Sequence, residues 1–403
     1  MVKKLIVAGA SFLALLLVPS IASARPIVDS GPAYAASKIK AFDVFGVYTR
    51  EQRSLLVSMG YDIGEAAWAD HVELFATEKQ ALLLSLRGYQ VVPKAEPDDF
   101  PPEDSNYHNY AEQVADVQAF AAAHPALVHV ISLGTSFEGR NLIGVRISND
   151  ATDNLAEPGV FYVGQHHARE HLTPEVVLSI MHMFVEKPQL TDLVNTRQIY
   201  VFPSLNPDGA EYDLVNDQYH YIRKNRQPPD GTDQNRNYSY RWGCCGGSSG
   251  NEFSETYRGP SAFSTPEDAA MRDFMIAHPN VHTGISYHTY GNLILYPYGY
   301  TYTDIPPDMD PIDHDTFVAM GAEMERTAGY HSQQSSDLYI TDGDWNDYMY
   351  GELGRYPITI EMSGGTFYPP DEIIPGESLR NHQAAAFVAR IADCPRRIVG
   401  ASC

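Results

Sequence analysis

Several stretches of this chain are rich in apolar residues without a helical repeat. They are residues 159–163 (GVFYV), 199–202 (IYVF), 281–287 (VHTGISY), 293–296 (LILY) and 358–362 (ITIEM). Such runs predict strands covered on both faces. Residues 127–133 and 141–147 are two further strands joined through SFEGR, a predicted hairpin. Apolar residues recur at helical spacing over 109–124, 175–187, 267–278, 316–328, 345–351 and 377–392. On the second of these, Val177, Ile180, Met181 and Phe184 share one face. The turn signal NPDG follows the strand at 199–202. Strands alternating with helices predict an α/β fold, a central, mostly buried mixed β-sheet with helices on both faces.

The pattern is different before residue 99. Strand-like 41–48, an amphipathic helix at 50–60, a strand at 71–76, a Leu-rich helix at 77–89 and an extension at 90–93 predict a small α+β module. KAEPDDFPPEDSN follows, with the Pro- and acid-rich composition of an exposed linker. The first residues, MVKKLIVAGASFLALLLVPSIASARP, pair two lysines with a short apolar run and the small-residue pattern Ala22-Ser23-Ala24. They read as a secretory signal peptide over 1–24, followed by the small domain at 25–98 and a large domain at 99–403. The mature protein is thus expected outside the cytoplasm, extracellular or periplasmic, with no membrane partner.

Charge narrows the partners. With 51 acidic against 28 basic residues the formal net charge is −23, so nucleic acid is excluded as a partner. Solubility accounts for the acid excess. Structural Ca2+ on surface carboxylates is the sharper reading, without an EF-hand loop to support it. Export permits disulfides among the four cysteines. Cys394 and Cys403 can close a small loop, whereas Cys244 and Cys245 are either a vicinal disulfide or two thiols.

The chemistry sits at strand ends. His167 and Glu170 follow the strand at 159–163, His288 ends ISYH, and Glu361 lies in ITIEM. Two imidazoles and a carboxylate suit one zinc ion with an open position, and a further carboxylate suits proton transfer. His166 and His171 are competing ligands, and His166 is expected to point away on an extended segment. Arg169, Arg223, Arg226 and Arg236 cluster around these motifs in an otherwise acidic chain. A guanidinium can hold an oxyanion or grip a carboxylate, against the plainer role of ion pairing.

HARE, NPDG, YIRKNR, DQNRNY, SETYRG, SYHTYG, LYPYGY and ITIEM occur in the order found in zinc metallocarboxypeptidases. Over roughly residues 100–393 the chain resembles the carboxypeptidase A/B family, notably its bacterial secreted carboxypeptidase T type. The resemblance implies one Zn2+ on His167, Glu170 and His288, with Glu361 as general base and acid and Arg223 as oxyanion donor. It implies that Asn235 and Arg236 clamp the substrate's C-terminal carboxylate, that Arg169 and Tyr290 line the cleft, and that Tyr339 closes over the bound end. Asp344 falls among pocket-floor residues, where it would pair with a basic C-terminal side chain. Its alternative role is to cap the helix beginning at Trp345. Leu338 and Thr359 leave apolar wall, so release of both hydrophobic and basic residues is expected. The resemblance also implies a monomer, peptide and protein C-termini as substrates, and residues 25–98 as an activation propeptide removed by an activating protease cutting near residues 97–100. A related zinc amidase acting on bacterial cell-wall peptides is the alternative.

Overall fold

The structure, a computed structural model, describes residues 40–48, 52, 56, 62–63, 71–76, 78–93, 100–150 and 152–403. The predicted signal peptide and nearly all of the helix expected at 50–60 lie outside the described residues.

The N-terminal part is a four-stranded sheet in the order β2-β3-β1-β4, formed by β1 (Lys40–Phe45), β2 (Asp62–Ile63), β3 (His71–Ala76) and β4 (Gln90–Pro93). Helix α1 (Glu78–Leu86) precedes β4. Period-two alternation sends Phe42 and Val44 inward, where they meet Val72, Leu74 and Leu84.

The large part is an eight-stranded mixed sheet in the order β11-β10-β12-β9-β7-β8-β6-β5. Its strands are β5 (Val128–Thr135), β6 (Asn141–Ile147), β7 (Gly159–Val163), β8 (Gln198–Phe202), β9 (Val281–Thr289), β10 (Leu293–Tyr296), β11 (His331–Gln334) and β12 (Tyr356–Met362). Neighbours from β12 through β9 and β7 to β8 run parallel, as do β10 and β11, whereas β10 with β12, β6 with β8 and β5 with β6 pair antiparallel. β7 and β8 are buried along their whole length, as continuous apolar runs require. On one face α3 (Leu172–Glu186) and α7 (Ile374–Ile391) supply Val177, Ile180, Met181, Ala385 and Val388 to a core with Val160, Tyr162, Ile285 and Ile360. On the other, α5 (Pro266–Ala277) packs Met271 and Phe274 against Phe161 and Phe202.

Helix ends follow local chemistry. α2 (Tyr110–Ala123) opens on a capping box between Asn109 and Glu112. α6 (Pro311–Ala328) starts earlier than the apolar repeat predicts, because Asp310 caps it and Pro311 occupies its first position. NPDG opens the helix α4 (Pro207–Asp213) instead of a simple turn, with Asn206 Oδ1 accepting the Gly209 N–H at 3.1 Å. The helix expected at 345–351 is a short α segment, Trp345–Asp347, continued by π-helix over Tyr348–Glu352. β11 was not expected.

The linker expectation also needs correction. Phe100 is 3% exposed and packs against Tyr107, His171 and Tyr219. Asp371 accepts both the backbone N–H and the side-chain amide of Asn106. The second half of the Pro-rich stretch is therefore docked on the large domain. Both cysteine pairs are bonded, Cys244 to Cys245 and Cys394 to Cys403. Among the described residues no helix is long and apolar enough to cross a membrane.

Candidate active site

The loop after β7 carries the first two candidate ligands. Gly164 lets β7 end against the Pro203 carbonyl, which a Cβ would meet at 2.6 Å. Beyond it, the backbone N–H groups of Ala168 and Arg169 donate to the carbonyls of Arg223 and Ile222 at 3.1 and 2.8 Å. This ladder ties the HARE segment to the segment carrying Arg223. Glu170 then accepts the Thr173 N–H and hydroxyl on its carbonyl as α3 begins.

His167, Glu170 and His288 are buried, and one ligand atom from each lies within 4.8 Å of the others. His167 Nδ1 is 2.7 Å from Glu170 Oε1, His288 Nδ1 is 3.0 Å from Glu170 Oε2, and the two Nδ1 atoms are 3.3 Å apart. The far side of each ring has a polar neighbour, at an ion-pair distance for His167 and through a hydrogen bond for His288. His167 Nε2 is 3.3 Å from Asp233 Oδ1, and His288 Nε2 is 3.0 Å from Ser286 Oγ. Glu170 Oε2 has no hydrogen-bond partner of good geometry although it is buried. Two ring nitrogens and two carboxylate oxygens converging on one point, with an oxygen unsatisfied, fit a zinc ion. Burial would raise the Glu170 carboxyl, but His167 and His288 outweigh it and hold it well below the usual carboxylate range.

His166 is not part of this set. Its Nε2 meets the Tyr238 hydroxyl at 2.9 Å and its Nδ1 meets Ser286 Oγ at 3.0 Å, so it supports His288 through Ser286. His171 pairs with Asp213 Oδ2 at 2.8 Å.

A cavity of about 430 Å³ opens at His167 and Glu170, and every predicted site residue other than His288 lines it. Glu361 arrives from β12, in register with His288 on β9. Burial, and then the charge of Glu170, push its carboxyl up to about 8 against the pull of Arg223 and Arg236. Arg223 places Nη1 3.4 Å from His167 Nδ1 while its Nε and Nη2 donate to Asp233 Oδ2 at 3.0 and 2.9 Å. Arg236 commits Nε to the Gly247 carbonyl and Nη1 to that of Asn235. Asn235 Oδ1 accepts the Trp345 N–H at 2.9 Å, which orients its amide hydrogens away from that contact.

The cleft rim holds Arg169, whose guanidinium stacks 4.0 Å above Phe367, with Tyr290 packed edge-on against the same ring. Tyr290 and Tyr339 are both exposed. Asp344 lines the cavity and also caps the short helix, Oδ1 accepting the Asp347 N–H at 2.8 Å and Oδ2 accepting the Thr341 hydroxyl. Arg226 instead stacks over Tyr212 at 3.4 Å, near Glu138, away from the ligands.

The sequence reading missed Asp233. Fully buried, it holds both His167 and Arg223, and burial's upward push on its carboxyl is overcome by Arg223 and Arg236. Its only signal was a place two residues before Asn235 in TDQNR. Ser286, two residues before His288 and therefore on the same face of β9, was the second omission.

Comparison with known proteins agrees with this geometry. A family model described as zinc carboxypeptidase matches residues 114–384. A zinc carboxypeptidase of Saccharothrix mutabilis subsp. capreolus is 36% identical over 326 residues, covering 77% of this chain and 75% of its own. Carboxypeptidase B of Astacus astacus is 31% identical over 286 residues, covering 67% of this chain and 92% of its own. The solved carboxypeptidase A of Helicoverpa armigera shares the fold with a TM-score of 0.64 at 22% identity, covering 90% of this chain and 98% of its own. The converging ligands and the match over most of the large domain agree, and the chain belongs to the zinc carboxypeptidase family of peptide hydrolases.

Proposed function

We propose that the enzyme hydrolyses the last peptide bond of peptides and proteins that end in a free carboxylate. The observation that carries this reading is the presence of Asn235 and Arg236 in the same cavity as Glu361, His167 and Glu170. With Nε and Nη1 of Arg236 committed, its Nη2 edge is the part that remains to meet a carboxylate. Asn235 adds amide hydrogens beside it.

His167, Glu170 and His288 would hold a zinc ion, which when bound would supply Lewis acidity. Glu361 takes a proton from the attacking water as the water oxygen bonds to the carbonyl carbon. It passes that proton to the amine nitrogen as the C–N bond breaks. Arg223 donates to the oxyanion, and Asp233 holds its guanidinium in place. Tyr339 covers the bound end, and Arg169 with Tyr290 contacts preceding residues.

Leu293, Leu295, Leu338 and Thr359 give the cavity apolar wall, and Asp344 adds a carboxylate. This mixture supports release of both hydrophobic and basic residues. Residues 1–24 direct export and residues 25–98 act as an activation domain. The burial of Phe100 supports an activating cut before that residue.

The test compares one blocked peptide with a free and an amidated C-terminus. Hydrolysis confined to the free acid is expected. Equal hydrolysis of the amide would overturn the exopeptidase reading and favour a zinc amidase.

A further inference from the structure

The loop GCCGGSSG, residues 243–250, folds against the wall of the cleft, and its polar groups converge on one carboxylate outside the catalytic set. That carboxylate is Asp342, which is fully buried. Its Oδ2 accepts the backbone N–H groups of Cys245 and Gly247 at 3.0 and 2.9 Å, and its Oδ1 accepts the Ser248 hydroxyl. The Cys244–Cys245 disulfide closes a ring that includes the first of these donors, the Cys245 N–H. Gly247 in turn offers its carbonyl to Arg236 Nε at 3.0 Å. Loop and wall touch backbone to backbone, since a Cβ on Gly247 would lie 2.3 Å from the Thr341 carbonyl carbon.

The neighbours of Asp342 grip the same region from behind. The Gly343 carbonyl accepts the Tyr238 N–H at 2.9 Å, and the Trp345 N–H donates to Asn235 Oδ1 at 2.9 Å. Gly343 adopts φ +66°, and a Cβ there would stand 2.7 Å from the Arg236 carbonyl oxygen. One short segment thus braces both members of the clamp, and Asp342 is its link to the loop that anchors the guanidinium.

We propose that Asp342 is a positioning residue for recognition of the substrate's terminal carboxylate. Through the Gly247 carbonyl it fixes the Arg236 guanidinium at the angle from which Nη2 faces the cavity. Three donors aim at this side chain, so an ionised carboxylate fits where an amide would turn its own N–H groups toward donors. The inference rests on the reading of Arg236 as the carboxylate clamp.

Steady-state kinetics on a blocked peptide with a free C-terminus tests it, using Asp342→Asn, Ser248→Ala, Arg236→Lys and the Asp342→Asn/Arg236→Lys double variant. A loosened clamp weakens ground and transition states alike, so Asp342→Asn should raise KM about tenfold and change kcat far less. Ser248→Ala should move KM the same way by a smaller factor, and it serves where Asp342→Asn folds poorly. Loss of folded enzyme alone would lower apparent kcat and leave KM in place. In the Arg236→Lys background Asp342→Asn should add less than about twofold, because the two changes act on one contact. An unchanged KM in both Asp342→Asn and Ser248→Ala, or an equal Asp342→Asn cost in both backgrounds, would overturn the role of Asp342. Wild-type enzyme that ignores amidation would instead overturn the clamp itself, whatever the variants do.

Discussion

Glu361 stands directly beside His288, as register partners on the parallel strands β12 and β9. The proposed proton acceptor and one candidate zinc ligand are therefore spaced by backbone hydrogen bonds, without help from a loop. Glu361→Gln keeps the shape and removes the base. Turnover should fall by about 10²–10⁴-fold. Zinc content, read by elemental analysis of the purified protein, should stay at the wild-type level. Near-normal turnover in this variant would refute the assignment.

The same carboxyl should report metal entry. In the metal-free protein burial and Glu170 push Glu361 up to about 8 from an ordinary 4.5, so it keeps its proton at neutral pH. A divalent cation favours the ionised form and drives that proton off. Zinc titration of the metal-free enzyme at neutral pH, followed by calorimetry in buffers of different ionisation enthalpy, should show more proton release for wild type than for Glu361→Gln. The raised value also fixes a stability trend. Between 4.5 and about 8 the unfolded chain has lost a proton that the native one keeps, so metal-free wild type should lose stability relative to Glu361→Gln as pH rises.

The two cleft arginines should separate kinetically. Arg223 Nη1 lies 3.4 Å from His167 Nδ1, whereas Arg236 lines the same cavity braced by the Gly247 and Asn235 carbonyls. Arg223→Ala should cost about 10²–10³-fold in kcat with a smaller change in KM. Arg236→Ala should act chiefly on KM, by about 10–100-fold, the range of one or two charge-assisted hydrogen bonds. Identical kcat and KM changes in the two variants would remove the distinction.

Asp344 caps a helix and lines the cavity, and one substitution can tell the cap from the proposed role in specificity. As a helix cap it accepts the Asp347 N–H, so Asp344→Asn should cost at most about 1 kcal/mol of stability because Asn also caps well. As a floor carboxylate it should favour basic ends. The ratio of Arg to Leu release should therefore drop about tenfold, the size of one hydrogen bond to a charged group. A preserved ratio in a folded variant would reduce Asp344 to the cap alone.

Much of this site was legible before any coordinates, because strand ends and ligand chemistry leave marks in sequence. His167, Glu170, His288 and Glu361 each border an apolar run, and those runs became β7, β9 and β12. Polar contacts between remote segments leave no such mark. Asp233 was one carboxylate among many until its contacts with His167 and Arg223 were visible. The strand β11, HSQQ, has no apolar pattern, and its pairing comes from its place beside β10 at the sheet edge. NPDG carries turn residues, yet Asn at the cap and Pro at the first helical position equally mark a helix start, and the second meaning prevailed. Phe100 sat in linker composition but was apolar enough to bury.

The order of strands has an evolutionary consequence. His288 and Glu361 lie on β9 and β12, and His167 and Glu170 follow β7, three adjacent interior strands where a change of pairing would disturb neighbours on both sides. β11 lies at the margin, and the residue just past it, Ser335, lines the cavity. Drift at that margin would reshape one wall of the cavity, while the pairing that spaces His288 and Glu361 stays insulated in the middle of the fabric.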